Sequence, residues 1–459
     1  MPPIVALALV SAVLATLFVL ERRTNPDVSH AVWIPFLWMF FIGTRFPTQW
    51  LVINAASPGV FPGADDYLEG SPLDMAVFLS LYVMAVAVLM RRSVSLSGIM
   101  TANVWVTAFL LYGLISVVWS DYPFTALKRF IKVSEHVVMV LVVLTDKNPS
   151  QALDALLRRF LAVSVLLSCL FFKYFPEIGR GFDYWTGRPV NTGVTTDKNA
   201  LGHICLLGGA FYTSSLLSAA HRSVGRAVKG RTIADAGMLF ATLWLLNLAD
   251  AKTALACTLL SMASIAVFVW TRLGRRPSAV LFCIASVVAA AVMLDWALDL
   301  RELSIQALGR DASLTDRVFV WADVLAMPNN ALLGTGFESF WLGPRLELLW
   351  EKYWWRPNQA HNGYIETYIN LGAVGLLLLL AMLGAGLARS LQRLQRADAF
   401  GPLTFALVVS IALFNYTDAT FKALHIFYFA FLLVVIATER APSMQPDTQL
   451  EPAAPPQKI

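Results

Sequence analysis

NGYIETYINLGAVGLLLLLAMLGAGLA, residues 362–388, carries a single charged side chain, Glu366, in its whole length. About 20 consecutive apolar residues in a helix cross the ~30 Å of a bilayer's hydrocarbon, so this stretch reads as a membrane span with a polar front end and a leucine run behind it. Working outward, runs of similar character lie near residues 3–20, 31–44, 74–90, 100–119, 124–145, 159–175, 199–220, 233–249, 254–271, 278–298, 402–415 and 424–437. The last two are short and read equally well as one bent span. The chain of 459 residues is 57% hydrophobic and 14% charged, against about 25% charged in soluble domains. That composition excludes a soluble enzyme, a nucleic-acid-binding domain and a secreted disulfide scaffold. The net charge of +5 is spread over short loops and makes no polyanion footprint. Cys169, Cys205, Cys257 and Cys283 sit inside apolar runs and read as small core residues. The expected fold is an all-α polytopic membrane protein of 12 or 13 transmembrane helices. Residues 1–437 would form one integral membrane domain, and 438–459, rich in proline, a disordered cytoplasmic tail.

Cations set the expected orientation. Alternate short loops, beginning with Arg22 and Arg23 and including Arg158, Arg159, Arg231 and Arg389, hold 19 of the 35 Lys and Arg residues. Short loops rich in cations stay in the cytoplasm. The opposite side receives the long segments 45–73, 176–198 and 299–361, the last expected to carry short helices of its own. Long loops rich in Trp, Tyr, Pro and Gly usually carry function. Cations there, among them Lys198, Lys252, Arg317 and Lys422, suggest an anionic ligand at the outer surface.

Four stretches carry candidate chemistry. His361-Asn362-Gly363 stands where the longest loop re-enters the membrane. Asn362 is a good N-cap, which would leave His361 near the positive end of a helix dipole. There an imidazole stays neutral near pH 7 and is suited to take a proton from a sugar hydroxyl. Gly372 and Gly375 would let a neighbouring helix approach closely. Lys198-Asn199 opens another span, a position unfavourable to a cation unless an anion binds there. Arg317 begins an amphipathic segment, and its guanidinium fork suits phosphate. Lys252 lies in a short hairpin between two apolar runs. Each has a plainer reading: an interfacial histidine, a snorkelling lysine, an arginine paired with Asp311 or Asp316, a helix-capping charge pair.

Together the four stretches resemble the O-antigen ligase and polymerase superfamily of bacterial envelope enzymes. Its His-Asn, nine residues, Gly-x-x-Gly pattern is met by His361, Asn362, Gly372 and Gly375. Lys198 through Gly202, Ala251-Lys252-Thr253, and Arg317 and Trp321 with Gly334, Gly336 and Phe337 resemble its other elements. Trp119-Ser120-Asp121-Tyr122-Pro123 resembles a segment of its exopolysaccharide-producing members. The resemblance implies a bacterial inner-membrane glycosyltransferase working on the periplasmic face. Its donor would be a glycan linked through pyrophosphate to undecaprenol, its acceptor lipid A–core or another glycan, and its transfer inverting and metal-independent with no cofactor. By position, His361 and Arg317 would be catalytic, and Lys198, Asn199, Lys252 and Asn362 would bind substrate. Ligase and exopolysaccharide polymerase are not separable on these motifs. Two other classes compete: a metal-dependent transferase using Asp65-Asp66, and a transporter or flippase of the lipid-linked glycan.

Overall fold

A computed structural model describes residues 1–51, 71–92, 94–182, 187–219, 226–271, 273–281 and 317–438. Most of the expected span at 278–298, Asp65-Asp66, Asp311, Asp316 and the tail beyond Thr438 lie outside these residues. In chain order the described helices are α1 Pro3–Thr24, α2 Trp33–Gly43, α3 Pro47–Leu51, α4 Pro72–Arg91, α5 Leu96–Ala102, α6 Val104–Ile115, α7 Pro123–Leu144, α8 Pro149–Tyr174 and α9 Pro176–Gly179. They continue with α10 Lys198–Ala219, α11 Arg226–Ala249, α12 Lys252–Trp270, α13 Arg317–Ala326, α14 Pro344–Lys352, α15 Gly363–Gln395, α16 Gly401–Phe414 and α17 Ile426–Val435. One antiparallel ribbon pairs β1, Arg180–Phe182, with β2, Pro189–Asn191.

The protein is an all-α polytopic membrane protein. Seven described helices are long and apolar enough to cross a bilayer, and an eighth is counted if the bent pair α5–α6 forms one span. The run at 100–119 is broken by 105° at Asn103. There the amide side chain donates to the carbonyls of Ile99 and Ala437, and Arg389 donates to the Ala102 carbonyl. The run at 402–437 is two helices, separated by a non-helical link from Asn415 to His425. Every residue of α17 is buried; a helix that is apolar all round belongs inside a bundle. It therefore forms a central post whose N-terminal end is the floor of the site described below.

The two ends of the bundle differ in how they treat charge. At the arginine-rich end, Arg159 meets Glu21 at 3.0 Å, both almost fully buried, and Arg158 joins Asp154 at 2.9 Å and also Asp235. Arg231 reaches Asp154 at 2.6 Å, and Arg92 reaches Asp146 at 2.8 Å. At the other end, α13, α14 and the non-helical segment after α14 form a lobe with its own apolar cluster around Val320, Val324, Phe340, Leu346 and Leu349.

Sequence motifs far apart in the chain hold this lobe down. Trp119 Nε1 donates to the Leu333 carbonyl at 3.2 Å, and the Ser120 and Ser339 hydroxyls lie 2.6 Å apart. The Phe337 amide donates to Ser116 Oγ at 3.1 Å. The Gly-x-x-Gly pair does not serve a neighbouring helix as expected. Gly372 breaks α15 with φ 64°, and what lies against it is the loop backbone at Leu332 and Leu333. A Cβ at Gly375 would strike Leu371 of its own helix at 2.1 Å.

A candidate active-site cavity at one end of the bundle

The non-helical link between α16 and α17, the turn before α15, the first residue of α13 and the N-termini of α10 and α12 enclose a cavity of about 470 Å³. Its polar lining includes Asp197, Asn199, His203, Arg317, Gln359, His361, Asp418, Lys422 and His425.

His361 is placed by its neighbours. Asn362 Oδ1 caps α15 by accepting from the amides of Tyr364 and Ile365 at 3.0 and 3.2 Å. The Gly363 amide donates to the Asn415 carbonyl at 2.7 Å, and a Cβ there would lie 1.8 Å from Asn415 Oδ1. The turn leaves His361 at φ 49°. Non-glycine residues held in this left-handed region cluster at sites where the surroundings over-determine them. Arg317 Nη1 donates to the Thr417 carbonyl at 2.7 Å, and one turn on, Trp321 Nε1 donates to the Ala360 carbonyl at 2.7 Å. These two bonds pin α13 to both sides of the cavity mouth. The Trp355 ring lies 6.2 Å from the His361 ring.

Asp418 stands between two histidines. One carboxylate oxygen is 3.7 Å from His361 Nδ1, and the other is 3.5 Å from the buried His203 Nε2. Lys422 Nζ is 2.5 Å from Gln359 Oε1, and Gln359 Nε2 is 3.2 Å from His361 Nδ1. Burial pushes the Asp418 carboxyl up, but His203, His361 and the Lys422 charge outweigh it and hold the group well below the usual carboxylate range. Burial lowers the proton affinity of His361, and Arg317 and Lys422 lower it further against the pull of Asp418. The imidazole is therefore neutral at pH 7. A base whose proton affinity is depressed stays unprotonated as pH falls through 6.5, its ordinary value. If His361 is the base, the acidic limb of the rate profile should lie below pH 6.5. Lys422→Met should move that limb upward; a limb that does not move in this variant would detach the lysine from the histidine.

Of the residues singled out from sequence, His361, Arg317 and Asn199 line this cavity. Lys198 does not, although it stands at the same helix end. The positive end of α10 is already met by Asp197, whose Oδ1 accepts from the amides of Asn199 and Ala200 at 2.9 and 3.0 Å. Lys252 turns to Asp250 at 2.8 Å, while its neighbours Thr253 and Ala254 face the cavity. Asn362 is buried, with its side-chain oxygen engaged in capping. Asp418, Gln359, His203 and His425 were missed, and Lys422 was read only as one of the outer cations. A signal existed: Asp418 and Lys422 are the only charged residues between 402 and 437, and ionisable groups inside apolar stretches mark function.

His203, Asp418 and His425 also place a potential ligand atom each within 4.8 Å of one another. The set does not suit a metal. His425 Nδ1 accepts the Phe427 amide at 3.2 Å, so a neutral ring carries its proton on Nε2 and offers no lone pair at either nitrogen. His425 holds its neutral form well below the ordinary range, through burial and then the neighbouring His203.

Residues 237–380, which contain Arg317, Gln359 and His361, match the family model described as O-antigen ligase. The chain is 27% identical over 312 residues to the exopolysaccharide production protein ExoQ of Rhizobium meliloti (strain 1021), covering 66% of this chain and 68% of that protein. A bundle of apolar helices, the matched segment and this relative together support the resemblance to the O-antigen ligase and polymerase superfamily.

Proposed function

We propose that the protein is an inverting, metal-independent glycosyltransferase of the bacterial inner membrane. It moves a glycan from an undecaprenyl-pyrophosphate donor to an acceptor hydroxyl on the periplasmic face. One observation carries the reading: His361, Arg317, Asp418 and Lys422 converge on a single cavity at the end of the bundle opposite the paired arginines.

In the reaction, His361 takes the proton from the acceptor hydroxyl as its oxygen bonds to the anomeric carbon. The bond from that carbon to the diphosphate breaks, and its electron pair leaves with the phosphate oxygen. Asp418, beside Nδ1, stabilises the imidazolium. Arg317 and Lys422 meet the charge growing on the departing diphosphate, a role that the resemblance gives to Lys198, Lys252 and Arg317. A charge-assisted hydrogen bond is worth ~1.5–3 kcal/mol net, and each 1.36 kcal/mol is a decade of rate. Two such contacts that strengthen in the transition state therefore supply some two to four decades.

The test is transfer in proteoliposomes containing only this protein, a polyprenyl-diphosphate glycan and an acceptor. Arg317→Ala should lower the rate by about 10²- to 10³-fold, and Arg317→Lys should restore part of it. Chelator should have no effect. Donor that reaches the other leaflet unconsumed would turn the reading to a transporter.

A second reading differs only in the acceptor, a further glycan repeat instead of lipid A–core. The exopolysaccharide relative and the Trp119–Pro123 segment favour it. Products growing by whole repeats would identify a polymerase, and a single transfer of a finished chain a ligase.

A further inference from the structure

Two short contacts bear on which nitrogen of His361 holds its proton. The Lys422 ammonium can only donate, so the Gln359 atom 2.5 Å from it is the amide oxygen. The amide nitrogen is then the atom 3.2 Å from His361 Nδ1. This orientation is assigned from the hydrogen-bond network, and Lys422 leaves no alternative, since the flipped amide would set donor against donor. An amide N–H donates, so Nδ1 presents its lone pair. A neutral imidazole has one N–H, and here it sits on Nε2, the nitrogen without a partner among the described residues. In that tautomer Nε2 takes no proton from a hydroxyl. The Asp418 oxygen 3.7 Å from Nδ1 is too distant to hold the other tautomer.

We infer that Gln359 is a positioning residue that keeps the ligand-free site disarmed, and that Lys422 couples its release to the arrival of a diphosphate. This rests on the reading of His361 as base. A diphosphate in the cavity draws the ammonium away from Gln359. The freed amide turns or withdraws, and Nδ1 takes a proton from water while Nε2 gives one up. The ring stays neutral, no net proton is gained or lost, and the Nδ1–H points to Asp418. Nε2 is then a base only when a diphosphate-linked donor is bound.

The tautomer can be read without turnover, from the ring nitrogen resonances of ¹⁵N-histidine protein in nanodiscs, with His361 assigned by difference from His361→Asn. Ligand-free wild type should show Nε2–H. Gln359→Leu and Lys422→Met should each shift the ratio toward Nδ1–H by about fivefold, the weight of one neutral hydrogen bond. Gln359→Glu, whose carboxylate accepts from both Lys422 and the ring, should shift it further while keeping the side chain's size. Saturating inorganic pyrophosphate should move wild type in the same direction. Wild type already in the Nδ1–H form, or Gln359→Leu and Gln359→Glu both remaining Nε2–H, would overturn the assignment to Gln359. No response to pyrophosphate would overturn the coupling through Lys422. Because none of these measurements needs transfer, their failure leaves the transferase reading standing. Loss of that reading in proteoliposomes would in turn leave the tautomer result intact.

Discussion

His361→Asn should lower glycan transfer by about 10²- to 10⁴-fold, the usual contribution of a positioned general base, while the protein inserts and folds. The choice of asparagine follows from the backbone. His361 sits at φ 49°, a region that costs most L-residues roughly 1–2 kcal/mol and that asparagine tolerates better than almost any other side chain except glycine's. Alanine would mix lost chemistry with added strain at the entrance to α15. Asparagine keeps a polar group for Gln359 and has no nitrogen that titrates near neutrality. Transfer and donor binding should be measured together: binding retained with transfer lost is the expected pattern. Normal turnover in this variant would make the histidine a structural residue.

Gly372→Ala should remove folded protein from the membrane. The residue adopts φ 64°, and a Cβ there would lie 2.2 Å from the carbonyl carbon and oxygen of Leu332. Those atoms are backbone and have no side-chain torsion by which to withdraw. The same loop closes the break in α15, because the Ala373 amide donates to the Ala331 carbonyl at 2.8 Å and the Val374 amide to the Leu332 carbonyl at 3.3 Å. Displacing it orphans amides in a membrane helix, at several kcal/mol each. Gly384→Ala, twelve positions on in the same helix with nothing within 4 Å of the added carbon, is the control and should be neutral or mildly stabilising. Yield and thermal unfolding of the two purified variants separate the outcomes. Equal melting temperatures would show that the contact at Gly372 is not what shapes the helix.

How far the sequence reached depended on whether a feature is local. Hydropathy placed the helices, because twenty apolar residues in succession have one stable home whatever they pack against. Each expected run that falls within the described residues coincides with a helix or a bent pair. Asn362 as the cap of α15 was legible for the same reason: capping involves only its own turn. The break at Asn103 was hidden, since it depends on Arg389 and on the Ala437 carbonyl, hundreds of residues away. In the cavity, His361 and Arg317 stood out by motif, but the link carrying Asp418 and Lys422 has no spacing that announces it. Lys198 and Lys252 were read as ligand groups from charge, side of the membrane and their place in motifs that resemble the family's. Their neighbours Asp197 and Asp250 were in plain view, yet which carboxylate faces a helix end and which cation turns aside is decided by backbone geometry.

Arg159 finds Glu21, Arg158 finds Asp235 and Arg231 finds Asp154 only once α1, α8 and α11 have come together. On a nascent chain leaving the ribosome the same guanidiniums are bare, and that is when a translocation machinery can sense them. In the finished bundle their charge is largely cancelled from within. Any influence these three arginines have on orientation is therefore exercised before the bundle closes.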